Sequence, residues 1–210
     1  MLDHSPLLSE VIRPKSLADL TLPASLTSSL ERMLERRTIQ NLLFYGKPGI
    51  GKTSAARILL REIDADAYEL NGSFNKGDKT MLNDIEVFSS HISLEGRPKV
   101  CFIDEADYLS KEVQASLRYM IEKFSRSTRF LLTANDVERL SPAIRSRCNP
   151  ICFDVFPTEV SEIIDRMIDR YTKVLNSLGH SVEHKRLREI VALNFPDLRN
   201  IANRIELELI

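Results

Sequence analysis

Tryptophan is absent from this chain, and cysteine, histidine and glycine are sparse, with 3, 4 and 7 residues. An odd cysteine count with no CxxC pair excludes a disulfide framework, and Cys101, Cys148 and Cys152 fit a reducing cytoplasm. His180 and His184 stand four apart but have no third ligand nearby, which gives no zinc site. Charge of one sign is also missing: 29 Lys+Arg face 30 Asp+Glu, for a net charge of -1, so any basic surface must be local. No apolar run approaches the roughly 20 residues that span a bilayer. The N-terminal stretch lacks the charged region, apolar core and small-residue cleavage site of an export signal, so a cytoplasmic protein is expected. No internal repeat or low-complexity segment is visible.

What is present is an ordinary globular composition, 43% hydrophobic and 28% charged over 210 residues, enough for one large domain or a larger one with a small companion. Short apolar runs at 41–45, 67–70, 99–103, 129–133 and 151–156 read as five strands. Between them, 52–63, 80–92, 111–124 and 137–146 carry apolar residues at three- and four-residue spacing. This alternation predicts a parallel α/β sheet, with strands covered on both faces. After Pro157 a wide helical stripe runs from Val160 to Leu178, with Thr158 placed to cap its start and Gly179 its end. Two further helices, at about 183–194 and 197–209, complete an all-α tail. The expected division is a core over 1–156 and a helical unit over 157–210.

Three of the few glycines fall together in Gly46-Lys47-Pro48-Gly49-Ile50-Gly51-Lys52-Thr53, which fits G-x-x-x-x-G-K-[ST] between a strand and a helix. Bare backbone turns its N–H groups toward phosphate oxygens, Lys52 reaches the β- and γ-phosphates, and the Thr53 hydroxyl takes Mg²⁺. A second apolar strand ends in Asp104-Glu105, where Asp104 can hold the Mg²⁺ and Glu105 can polarise the attacking water. The bland alternative for 104–107 is a solvated helix cap. A third strand ends at Asn135, whose carboxamide can hold a phosphate or the lytic water, or simply make a turn. Arg145 and Arg147 follow on a helix's last turn, where a guanidinium serves equally as a phosphate ligand or a dipole partner.

With these residues in place the sequence resembles the AAA+ ATPases of the sliding-clamp-loader family. "IRPKSLADL" resembles the N-terminal box, "GKPGIGKT" the Walker A motif, "ELNGS" the strand-end motif and "FIDEAD" Walker B. "LLTAN" resembles sensor 1, "RSRC" the Ser-Arg-Cys motif, and "NFPDLR" sensor 2. The Ser146-Arg147-Cys148 triplet narrows the likeness to replication factor C small subunits and their phage counterparts. "LTAN" and "NFPDLR" are most similar to the large ATPase subunit of T-even-type bacteriophage loaders.

The resemblance implies a P-loop core with a five-stranded parallel sheet flanked by helices, a three-helix lid, and ATP with Mg²⁺ between them. It places Ser54, Val11 and Arg13 beside the nucleotide with the Walker A residues. It makes Arg147 an arginine finger for a neighbouring subunit, and Arg199 a sensor in its own site; alone, Arg199 would read as a surface ion-pair residue. Asn71 matches a position that restrains the Walker B glutamate, though Asn before Gly72 is also an ordinary turn. Gln114 and Arg118 lie where the family couples the ATP site to DNA, or on an exposed helix face. Lys76, Lys79 and Lys111 are candidates for template phosphates, or solvated lysines. Implied partners are other loader subunits, five in the family, a sliding clamp and primer-template DNA, in the host cytoplasm if the chain is phage-encoded. Three departures stand out: Ile12 replaces the usual Tyr of the box, Gly72-Ser73-Phe74 replaces Ala-Ser-Asp, and no counterpart of the collar domain follows Ile210. The competing readings are another AAA+ DNA motor, such as a helicase loader or Holliday-junction type, and a non-hydrolysing nucleotide-binding scaffold. Intact Lys52, Asp104, Glu105 and Arg147 weigh against the scaffold.

Overall fold

The computed structural model describes residues 8–74, 79–91, 93 and 96–209. Five strands pair in parallel in the order β2-β3-β4-β1-β5. They are β1 (Leu42–Tyr45), β2 (Asp66–Asn71), β3 (Lys99–Asp104), β4 (Arg129–Ala134) and β5 (Asn149–Cys152). Helices α1 (Leu8–Val11) and α2 (Ala24–Arg36) precede the sheet, and α3 (Lys52–Glu62), α4 (Lys79–Ser90), α5 (Lys111–Lys123) and α6 (Pro142–Arg145) cross between strands. Helices α7 (Val160–Ser177), α8 (His184–Asn194) and α9 (Leu198–Leu209) follow it.

Alternation along each strand divides the core into two layers. Leu42 and Phe44 of β1, with Val100 and Phe102 of β3, pack toward α2 and α3. Leu43, Cys101 and Ile103 point the other way, toward α4, α5 and α6. Phe44, Phe102, Phe130 and Phe153 are fully buried, each contributing about 2 kcal/mol relative to exposure. A third cluster is built from α7, α8 and α9 and takes in Ile12 from the N-terminal stretch. Arg170 of α7 donates to the Ile12 carbonyl, and Arg166 to the Leu22 carbonyl at 3.0 Å, tying that stretch to the helical tail.

The expected strands and helices are present, with four differences. Helix α2 has no counterpart among the sequence expectations. The expected helix over 137–146 is a 3-10 turn at Val137–Arg139 and then the short α6. Pro142 has no N–H and disfavours a helical Ser141, which instead accepts from Ile144 N as a cap. Strand β5 starts two residues before the expected 151 and includes Pro150, which an edge strand tolerates. Helix α7 begins after Glu159 rather than Thr158.

Candidate functional site

In a parallel sheet the carboxyl ends of all strands share one edge, so β1, β3 and β4 deliver their following residues to one cleft. After β1 the chain turns through Gly46, Gly49 and Gly51, all at positive φ, and enters α3 at Lys52. The first N–H groups of α3 and the helix dipole therefore face the turn. Asp154, just past β5, accepts the Lys47 N–H at 2.8 Å and braces the loop from beneath.

Lys52 is 6% exposed, and its Nζ donates to Gly46 O at 2.7 Å, Lys47 O at 2.9 Å and Asn135 Oδ1 at 2.8 Å. All three ammonium hydrogens are aimed, so the cation is fixed by the loop and by the tip of β4. Burial pulls its pKa below the ordinary lysine value, while Asp107, Asp154, Asp104 and Glu105 pull it back up. On the far side of β4, Asp104 Oδ1 accepts from Thr53 Oγ1 at 2.8 Å and from Thr133 Oγ1 at 2.5 Å. One carboxylate and one hydroxyl on the cleft wall form the hard oxygen pair that suits Mg²⁺ when substrate phosphates complete its shell. Among the described residues no group of three His, Cys, Asp or Glu side chains could hold a metal by itself. Glu105 lines the cleft beside Asp104, with its backbone N–H donating to Thr133 Oγ1 at 2.9 Å.

The cleft encloses about 350 Å³. Its wall takes in Pro48, Gly49, Ile50, Gly51, Lys52, Thr53 and Ser54 from the loop, with Asp104, Glu105 and Asn135 from the strand ends. Arg13 from the N-terminal stretch and Arg199 from α9 complete the set that the sequence pointed to. Gly46 and Lys47 support the loop from behind, and Val11 is flanked by wall residues Glu10 and Ile12 without being one itself. Sequence reasoning missed Thr133, Arg170, Tyr171 and the apolar Leu20 and Leu22. Thr133 alone carried a signal, a hydroxyl within the strand end that leads to Asn135; the others emerge only when α7 folds over the N-terminal stretch.

Other candidates lie away from the cleft. Arg147 is held within its own chain: Nε donates to Glu122 at 2.7 Å, Nη1 to Ala143 O at 2.6 Å, and Nη2 to Glu122. Its side chain remains 31% exposed. Arg145 pairs with Glu138 at 2.6 Å. Gln114 is buried and joins three segments, donating to Leu109 O and Arg139 O and accepting from Ser141 N. Arg118 is exposed on α5. Asn71 Oδ1 accepts from Ser73 N at 2.8 Å in a turn. Lys111 is exposed at the start of α5 and Lys79 begins α4, while Lys76 lies outside the described residues.

Comparison with known proteins bears on this geometry. Residues 42–154 match the ATPase family associated with various cellular activities (AAA). A probable replication factor C subunit 5 of Dictyostelium discoideum is 31% identical over 205 residues, covering 94% of this chain and 57% of that protein. The replication factor C small subunit of Archaeoglobus fulgidus is 30% identical over 203 residues, covering 94% of this chain and 62% of that protein. The chain thus spans about three fifths of the length of these curated relatives. Among solved structures, the Thermotoga maritima RuvB Holliday junction branch migration motor superposes with a TM-score of 0.71 at 25% identity, over 94% of this chain and 64% of that one. Because the family match spans more than half of the chain and contains the loop, Asp104, Glu105 and Asn135 together, the chain belongs to the AAA family of ATPases.

Proposed function

We propose that this chain is an ATP-hydrolysing subunit of a sliding-clamp loader, which uses ATP to open a clamp and place it on primer-template DNA during replication. The observation that carries the reading is the likeness to replication factor C subunits over 94% of the chain, joined to a cleft in which Lys52, Thr53, Asp104, Glu105 and Asn135 converge. The unit over 1–156 serves as the nucleotide-binding core and 157–210 as its lid. In this reading the loop N–H groups and Lys52 bind the triphosphate, and Asn135 keeps Lys52 and the terminal phosphate in register. Glu105 takes the proton of the attacking water, and Arg199 senses phosphate from the lid. Thr53 and Asp104 would hold Mg²⁺, which neutralises charge on the phosphates when bound. Arg147 faces away from this cleft and acts on a neighbour's nucleotide, so turnover depends on assembly. Lys76, Lys79 and Lys111 offer only phosphate contacts, which predicts sequence-indifferent, salt-sensitive DNA binding. The subunit works in the cytoplasm; among the described residues no helix is long and apolar enough to cross a membrane.

The test is light scattering with and without ATP, alongside ATP turnover with and without primer-template DNA. ATP should raise the mass above that of one chain, and primed DNA should raise turnover. A chain that stays monomeric with ATP, and whose turnover ignores primed DNA, overturns the proposal.

A further inference from the structure

Arg37, Asp64 and Glu105 are the non-glycine residues at positive φ among those described. Arg37 and Asp64 close helices, where a left-handed residue is common. Glu105, at φ 56° and ψ 43°, instead joins the end of β3 to a 3-10 turn, and it carries the carboxylate assigned to water activation. Strain of this kind persists only where the surroundings impose it.

Two neighbours do so. From β4, the buried Thr133 hydroxyl accepts the Glu105 N–H at 2.9 Å and donates to Asp104 Oδ1 at 2.5 Å, fixing both acidic residues through one atom. From the end of β2, Gly72 donates its N–H to Asp104 O at 2.7 Å and lies flat against the turn. A Cβ on residue 72 would stand 2.5 Å from Glu105 O, 3.1 Å from Glu105 C and 3.3 Å from Ala106 Cα. All three atoms are backbone, so no rotamer change relieves the clash, and the peptide that carries the Glu105 side chain must move.

We infer that Gly72 and Thr133 are positioning residues for Glu105, a two-sided backbone brace that holds its carboxylate where the attacking water is activated. The inference rests on the catalytic reading of Glu105. Displacing a catalytic group by about 1 Å costs on the order of 10²-fold in rate while leaving substrate binding in place. The test compares Gly72→Ala, Thr133→Val, Thr133→Ser and Glu105→Gln in the full chain, measuring ATP affinity, kcat, and the exchange rate of the Glu105 amide by hydrogen-exchange NMR.

The brace requires that G72A and T133V lose about 10²-fold in kcat with ATP affinity within a few-fold of wild type, and that T133S recover activity. It also requires faster exchange of the Glu105 amide in both variants, a readout that stands even where turnover is too slow to measure. Should G72A fail to fold, T133V, nearly isosteric, carries the same comparison. Wild-type kcat and amide exchange in the folded variants overturn the brace while E105Q remains dead. An E105Q variant that turns over like wild type instead overturns the catalytic reading beneath it.

Discussion

Lys52 and Glu105 line the same cleft, and the proposed function has them act on different states of the reaction. Lys52 is held by three protein acceptors, Gly46 O, Lys47 O and Asn135 Oδ1, which fix its charge beside the loop. Lys52→Ala removes a buried, aimed cation; with charged hydrogen bonds worth about 1.5–3 kcal/mol each, ATP affinity should fall by about 10²-fold or more. In the proposed function Glu105 acts on the attacking water rather than on phosphate, so Glu105→Gln should bind ATP within a few-fold of wild type and lose turnover. Calorimetric titration beside a phosphate-release assay separates the two; equal loss of affinity in both variants would sink the assignment. Both residues were legible in the sequence because their spacing is local: a loop of fixed length after a strand, and an acidic pair at a strand's end. Thr133 offered only a hydroxyl in the strand that leads to Asn135, since its role comes from β4 lying between β1 and β3, an order that only long-range pairing sets. Arg170 was hidden, for it reads as one more polar residue on the outer face of α7.

At the scale of elements, the junction between the glycine loop and α9 ties the helical tail to the cleft. Leu198 N donates to Gly49 O at 3.1 Å, while the Asp197 side chain caps α9 by accepting from Arg199 N at 3.1 Å and Asn200 N at 3.0 Å. Gly49, at φ 77°, leaves no room for a Cβ because Asp197 occupies that space. The cap that fixes Arg199 at the cleft is thus packed on the loop itself. Asp197→Ala should cost about 1 kcal/mol, a fall of about 2–4 °C in Tm for a chain of this size. Asp165→Ala, which breaks only the exposed pair with Arg188, should shift Tm less. Circular dichroism melts of the two variants make the comparison, and an unchanged Tm in D197A would remove the cap from the account. The central strands β1, β3 and β4 were read well because apolar runs buried on both faces are hard to mistake, whereas β2 and the edge strand β5 are partly exposed and β5 was placed two residues late. Helix α2 was missed: Ser25, Thr27, Ser28 and Ser29 give it the look of a loop, although Leu26, Leu30, Met33 and Leu34 lie at helical spacing. The break before α6 follows from Pro142, a local signal outweighed by the apolar period around it.

For the whole molecule the decisive residue is Arg147, which is absent from the lining of its own cleft and paired with Glu122 on its own surface. If its guanidinium serves a neighbour, Arg147→Ala should leave ATP binding by the single chain nearly intact, since the two never meet. Turnover in the assembly should fall by about 10³-fold or more, the usual scale for such a finger. The ion pair with Glu122 is exposed and contributes at most about 1 kcal/mol, so a loss of that size cannot come from stability. Mixing supplies the control. Arg147→Ala chains combined with Glu105→Gln chains should recover part of the activity, because a complete site forms wherever a sound Glu105 meets a neighbour's sound Arg147. Recovery should rise with protein concentration, as mass action on the association requires. If the mixture stays inactive at a concentration where wild type turns over ATP, Arg147 works within its own chain or not at all, and the site is not shared between subunits.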